Sequence, residues 1–188
     1  MLNIALPLTT DVTKTLRAGD SVALSGAIYT ARDAAHARLC ELLDSGEPLP
    51  FELAGATIYY AGPAPASPGR VIGSVGPTTS YRMDAFAPRL LRLGQLGMVG
   101  KGERSAEVAD AIREVGAVYL AAAGGAGALL SECVKSAEIV AFPDLGAEAV
   151  RRLIVENFPC VVAIDCNGGN IYVDGKRDYL RSLAALSD

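Results

Sequence analysis

The chain has no tryptophan, one histidine and four phenylalanines in 188 residues. With His36 as its only imidazole, a multi-histidine metal cage is excluded. The four cysteines, Cys40, Cys133, Cys160 and Cys166, include no C-x-x-C pair, so the usual zinc and redox spacings are missing. Cys160 and Cys166 make only a loose cluster, and all four read as buried thiols of a reducing compartment. No run of Lys or Arg occurs and the net charge is −4, which argues against a general nucleic-acid binder. The longest apolar stretch, "AVYLAAAGGAGALL", is broken by glycines and falls short of the roughly 20 residues that cross a bilayer. The start, "MLNIALPLTTDV", has no basic segment of the secretory kind, so the expected location is cytoplasmic. The phosphate-loop, dinucleotide-binding and G-x-S-x-G patterns are all absent.

What is present is an apolar, glycine-rich chain: 51 % hydrophobic residues and 20 glycines. That composition fits a folded α/β protein, expected as a single domain over residues 1–188. "SVALSGAIYT" reads as a buried strand and "ARDAAHARLCELLDSG" as a helix with Gly46 as its stop. "ATIYYAG", "VIGSVG", "MVG", "AVYLAAA" and "AEIVAF" read as further strands. Asp84 is placed to cap the helix "AFAPRLLRLGQLG" and Ser105 to cap "AEVADAIREVG". "GALLSECVKS" and "GAEAVRRLIVENF" read as helices and "PCVVAIDC" as a strand. Asn167-Gly168-Gly169-Asn170 reads as a hairpin turn into a strand "IYVDG", and "KRDYLRSLAALSD" as a final helix. Alternating strands and helices, with a hairpin late in the chain, predict a mixed central sheet with flanking helices.

Three of these strands end in cations. Thr30, Arg32 and Asp33 follow the first strand; Thr78, Thr79 and Arg82 follow "VIGSVGP"; Lys101 follows "GMVG". In α/β sheets, ligands bind at the carboxyl ends of strands, where helix N-termini favour anions. If the three ends lie side by side, Arg32, Arg82 and Lys101 form one cationic pocket. A dicarboxylate suits such a pocket, because an arginine holds a carboxylate with two parallel hydrogen bonds. The competing reading makes these cations solvated surface charges or partners of Asp33 and Asp84. His36, one turn after Arg32, reads as a helix-surface residue or one standing behind the site. "AAAGGAGALL" reads as close strand–helix packing or as a peripheral wall.

"SGAIYTARDAAHARL", "GPTTSYRMD", "GMVGKG", "GGAGALLSECVKSAEIVAFPDLGAEAV" and "FPCVVAIDCNGGNIY" together resemble the beta, C-terminal portion of class I iron–sulfur fumarate hydratases and the related L(+)-tartrate dehydratase beta subunits. The resemblance covers residues 19–173. It implies a swivelling β/β/α domain and a hydro-lyase that interconverts fumarate and (S)-malate. It further implies a hetero-oligomer in which an alpha subunit holds a [4Fe–4S] cluster with one iron open to substrate, while this chain binds no metal itself. By the same resemblance Arg32, Arg82 and Lys101 bind substrate carboxylates and Thr78 transfers a proton. Thr79, Asp33 and His36 stand behind them. The implied chemistry removes a proton beside one carboxylate while a hydroxyl leaves the neighbouring carbon, with the open iron as Lewis acid. "PDLGAEAV" looks more like the fumarate enzymes than the tartrate ones. Two alternatives stay open: an L(+)-tartrate dehydratase beta subunit, and a non-catalytic anion-binding or assembly module. No nucleic-acid or membrane partner is implied.

Overall fold

The structure, a computed structural model, describes residues 1–185. Seven strands make one mixed sheet: β1 (Leu2–Ala5), β2 (Ser21–Thr30), β3 (Thr57–Tyr59), β4 (Gly97–Gly100), β5 (Val118–Ala121), β6 (Val134–Ala141) and β7 (Val150–Ile164). Their order is β1-β2-β3-β4-β5-β7-β6, and β7 also pairs with β2. That second pairing closes β2, β3, β4, β5 and β7 into a five-stranded barrel. β2 to β5 run parallel to one another, and β7 runs antiparallel to β2, β5 and β6. The carboxyl ends of four neighbouring parallel strands therefore open on the same rim.

Helices α1 (Thr10–Thr13), α2 (Asp33–Ser45), α3 (Ala87–Arg92), α4 (Ala106–Val115), α5 (Gly127–Glu132) and α6 (Ile171–Ala185) link or flank the strands. α4 shows why its sequence folds locally. Ser105 Oγ accepts from the Val108 amide, satisfying one of the free N–H groups of the first turn. Val108, Ala111 and Ile112 are buried on one face, and Gly116 ends the helix at φ 76°. α2 buries Ala35, His36 and Leu39, spaced i, i+1, i+4 along one face of an amphipathic helix.

The core contains Tyr59, Tyr119, Phe158, Ile28 and Ile58, all fully buried. The Tyr59 and Phe158 rings meet edge to face, centroids 5.3 Å apart, tying β3 to β7 and adding to plain burial.

Four expectations are corrected. Residues 71–76, read as a strand, form a bend and loop outside the sheet. Their backbone is bonded elsewhere: Val75 O accepts from Tyr59 Oη at 2.6 Å, Val75 N donates to Gly127 O, and Ser74 O accepts from Ala64 N. "GAEAVRRLIVENF", read as a helix, instead supplies a 3₁₀ turn (Pro143–Glu148) and most of β7. Its Ala, Glu and Arg favour a helix locally, but pairing on both edges overrides that weak preference. "IYVDG" begins α6 rather than a strand. Asn170 starts it, its Oδ1 accepting from Tyr172 N while its own amide donates to Asp174. Asp84 caps no helix; α3 starts after Phe86 without a side-chain cap.

Close packing at the rim gives a test. A Cβ added at Gly100 would stand 2.0 Å from Ser80 Oγ and 2.9 Å from Tyr60 Cδ2, whereas one at Gly175, inside α6, meets nothing within 4 Å. Gly100→Ala is expected to cost about 1–3 kcal/mol in urea unfolding through overpacking. Gly175→Ala is expected to gain up to about 1 kcal/mol from helix propensity. Equal effects from the two would contradict this packing at β4.

Candidate active site

Where β2 ends, Arg32 adopts an extended conformation (φ −110°, ψ −169°) and stands before the first turn of α2. Its side chain crosses Gly62, just past β3: a Cβ there would lie 3.3 Å from Arg32 Cδ and Nη1. A side chain at Gly62 would crowd the arginine as it reaches over the rim. After β3 the chain loops out and returns. Thr78 N donates to Tyr60 O at 2.7 Å, which seats the Gly-Pro-Thr-Thr turn on the carboxyl end of β3.

The same turn then pairs with the segment after β4. Lys101 N donates to Thr78 O at 3.3 Å and Ser80 N donates to Lys101 O at 2.9 Å, with Thr79 bridging Lys101 in parallel register. A Cβ at Gly124, past β5, would lie 3.5 Å from Lys101 Cδ and 3.8 Å from Nζ. Arg32, Thr78 and Lys101 thus stand on successive strand ends of one rim. Thr78 and Thr79 are half-buried, and Arg82 and Lys101 are exposed.

Carboxylates hold the two arginines together. Arg82 Nη2 donates to Asp33 Oδ2 at 2.7 Å, and Arg32 Nε lies 3.9 Å from Asp33 Oδ1. One carboxylate therefore spans both guanidiniums. Arg32 Nη2 also lies 3.1 Å from Glu148 Oε1, which comes from the turn before β7. Arg32 Nε and Asp33 Oδ1 are buried yet lack a hydrogen-bond partner among the described residues. Such atoms are costly to leave unmade, and their 3.9 Å separation leaves both free to bond a third group. Salt-bridge pairing and an anion site were set against each other in the sequence; the structure has the pairing, and the paired arginines still share a rim with Thr78.

His36 is not on the helix surface. It is fully buried, its ring 5.4 Å from Tyr60 and 6.1 Å from Phe86. Nδ1 lies 2.9 Å from Arg32 O. A carbonyl only accepts, so Nδ1 carries the proton and Nε2 a lone pair. His36 thereby fixes the backbone of Arg32 from behind. Burial lowers its pKa to about 4, helped by the Arg104 charge and opposed by the hydrogen bond to Arg32 O. The ring is neutral at pH 7.

Three contributors were missed. Glu148 lies in the stretch read as a helix, where no strand end was expected. Tyr119 and Arg104 lack a motif; the only signal was Arg104 following Lys101-Gly102 within two residues. The donor set for a metal is poor. No three His, Cys, Asp or Glu side chains among the described residues group closely enough to hold an ion. Burial pushes the Cys40, Cys133 and Cys160 thiols up, away from the thiolate that ligates iron.

The family model described as Fumarase C-terminus matches residues 1–175. Fumarate hydratase 2 of Leishmania major is 42 % identical over 156 residues, 82 % of this chain and 28 % of that protein. The aerobic class I fumarate hydratase of Escherichia coli strain K12 is 42 % identical over 153 residues, 80 % of this chain and 28 % of that protein. The chain thus spans little more than a quarter of these two relatives. A protein of Methanocaldococcus jannaschii named "Putative L(+)-tartrate dehydratase subunit beta" is 43 % identical over 185 residues, 95 % of either chain.

The His36 environment predicts a pH dependence. The unfolded chain takes up a proton near pH 6.5 and the folded chain only near 4. Stability is therefore full above pH 6.5 and falls between there and 4, by about 3 kcal/mol for this group. In urea unfolding, the advantage of the wild type over His36→Gln is expected to shrink by that amount from pH 7 to pH 4. A difference that stays constant with pH would mean that the buried ring protonates freely.

Proposed function

The chain belongs to the fumarase C-terminus family, and we propose that it is the substrate-clamping part of a hydro-lyase acting on a four-carbon dicarboxylate, interconverting fumarate and (S)-malate. The observation that carries this reading is the arginine pair bridged by Asp33 beside the Thr78 turn. Two planar guanidiniums at one rim suit a ligand with two carboxylates. Relatives named as fumarate hydratases support the reaction class.

In this reading Arg32 and Arg82 grip the substrate carboxylates and Lys101 stabilises the negative charge that develops as the proton leaves. Thr78, whose strand end lies between those carrying Arg32 and Lys101, moves that proton through its hydroxyl. A free hydroxyl is a weak base, so its work depends on the surrounding cations. The [4Fe–4S] cluster that the resemblance implies belongs to a partner alpha chain or segment, since the described residues of this chain offer it no fitting ligand set. The swivelling of this domain against that partner belongs to the same proposal. A second substrate, L(+)-tartrate, is favoured by the Methanocaldococcus relative, whose length this chain matches almost end to end.

The test uses the chain assembled anaerobically with its alpha partner. Fumarate and L(+)-tartrate are assayed side by side, and faster turnover of tartrate would decide for the second substrate. Thr78→Val is expected to lower kcat by about 100-fold, the usual scale for a proton-transferring group, with Thr79→Val losing less. Arg32→Lys and Arg82→Lys each keep the charge but lose the fork, and are expected to lose about 10-fold or more in kcat/KM. Unchanged kinetics in both lysine variants, or substantial turnover by this chain alone, would overturn the reading.

A further inference from the structure

We propose that Arg104 is a positioning residue which, with Asp84 and Tyr119, locks the Thr78–Arg82 turn to the Lys101 segment so that the two move as one unit. The proposal rests on the function just given for Thr78 and Lys101; its structural half stands apart from that function and is tested separately.

Arg104 has a side chain with no exposed surface. Its Nε donates to Asp84 Oδ1 at 2.6 Å, and the other carboxylate oxygen, Oδ2, accepts from Ser105 N at 2.6 Å. Asp84 closes the 3₁₀ turn Ser80–Met83, so a single carboxylate ties the end of that turn to the start of α4. The guanidinium lies between two rings, 5.2 Å from the Tyr60 centroid and 5.0 Å from that of Tyr119. Cation–π attraction is strongest where water is excluded, as here.

Tyr119 completes the lock from β5. Its hydroxyl donates to Gly102 O at 2.9 Å and meets Ser80 Oγ at 2.9 Å. Burial pushes this hydroxyl up, which keeps it protonated and a donor. With its proton on Gly102 O, it accepts from Ser80. One hydroxyl therefore holds both arms: Ser80, two residues from Thr78, and Gly102, the neighbour of Lys101.

Stability alone does not explain such an arrangement. Well-packed apolar side chains often replace a buried ion pair at no cost in stability. What apolar packing lacks is direction. The bonds to Asp84, Ser105, Ser80 and Gly102 each fix an angle as well as a distance. Arg32 stands outside the lock, held by Asp33 and Glu148, and Arg82 has its head on Asp33. Loosening the lock should therefore displace the Thr78 hydroxyl and Lys101 more than the carboxylate clamp.

Two variants test this. Tyr119→Phe removes both hydrogen bonds and keeps the ring. Arg104→Met with Asp84→Asn removes the charge pair while leaving an acceptor for Ser105 N. Hydrogen exchange followed by mass spectrometry on the full chain needs no activity. Amide exchange is expected to quicken at least about 10-fold in residues 78–84 and 100–105 together, and to stay unchanged in α2. Quickening of one arm alone, of neither, or of α2 as well would overturn the proposed coupling. In the assembled enzyme, Tyr119→Phe is expected to lower kcat about 10-fold with KM within about threefold. Intact kcat with correct coupling would overturn the positioning role. A wild-type assembly that turns over neither dicarboxylate would remove the function on which that role rests, while exchange still decides the coupling.

Discussion

Everything at the rim depends on β7. A parallel barrel strand needs a long crossover to its neighbour, and β2 to β5 supply three such crossovers. The ring closes only because a fifteen-residue antiparallel strand, Val150–Ile164, bonds β2 along one edge and β5 along the other. Closure fixes the stagger of the strands. With β2 and β5 both pinned to β7, the carboxyl ends at Arg32, Gly62, Lys101 and Gly124 come to one rim. β7 also begins two residues after Glu148, so the strand that closes the barrel delivers a carboxylate onto Arg32. An open sheet of the same strands would leave that carboxylate far from β2.

Charge at the rim is arranged in two depths. Near the surface, Asp33 and Glu148 face Arg32 and Arg82 with between a quarter and a third of their side chains exposed. Ion pairs of this kind contribute little to stability, and their consequence is geometric: they hold long, flexible side chains in place before a ligand arrives. Below them, Arg104 and Asp84 are withdrawn from water. There the guanidinium lies over the Tyr60 and Tyr119 rings, and Asp84 is its one carboxylate partner among the described residues. His36 stays uncharged chiefly because burial strips the charged ring of water, and the Arg104 charge adds to that. The Nδ1 proton that this neutral tautomer retains is the one that fixes Arg32 O.

Much of this was legible in the sequence, and for a physical reason. Cations placed just after apolar runs mark strand ends, since a strand buried on both faces has nowhere else to put them. The strand read over Ser21–Thr30 appears with those bounds, and the helix read from Ala31 to a stop at Gly46 appears as Asp33–Ser45. The failures share a cause. Residues 150–158 mix helix formers (Arg151, Arg152, Leu153, Glu156) with strand formers (Val150, Ile154, Val155, Phe158), and their partners on β2 and β6 decide for a strand. Residues 71–76 have strand-like composition, but the Tyr59 hydroxyl, the loop at Ala64 and the start of α5 at Gly127 take their bonds first. Asp84 stands where a helix cap belongs, yet Arg104, twenty residues on, claims it. In each case a distant partner outbids a local preference, and a local pattern carries no trace of that partner.

If the proposed dicarboxylate binds at this clamp, the ion pairs already there bear on how it must enter. Both arginines already face carboxylates of this chain. A dicarboxylate arriving there exchanges one carboxylate for another at Arg32, so its affinity is a difference between two similar interactions rather than the full strength of either. Glu148 is the more replaceable partner. It approaches Arg32 through one nitrogen at 3.1 Å, leaving the guanidinium fork unfilled, whereas a substrate carboxylate lying in plane fills two positions. Asp33 is bound to Arg82 at 2.7 Å and joined to α2 through the backbone, so it remains while Glu148 yields. The exchange favours ligands that use both guanidiniums at once, since a monocarboxylate displaces Glu148 without gaining the second grip. In the proposed function, selection for a dicarboxylate would then arise from competition within the chain as much as from the number of positive charges it presents.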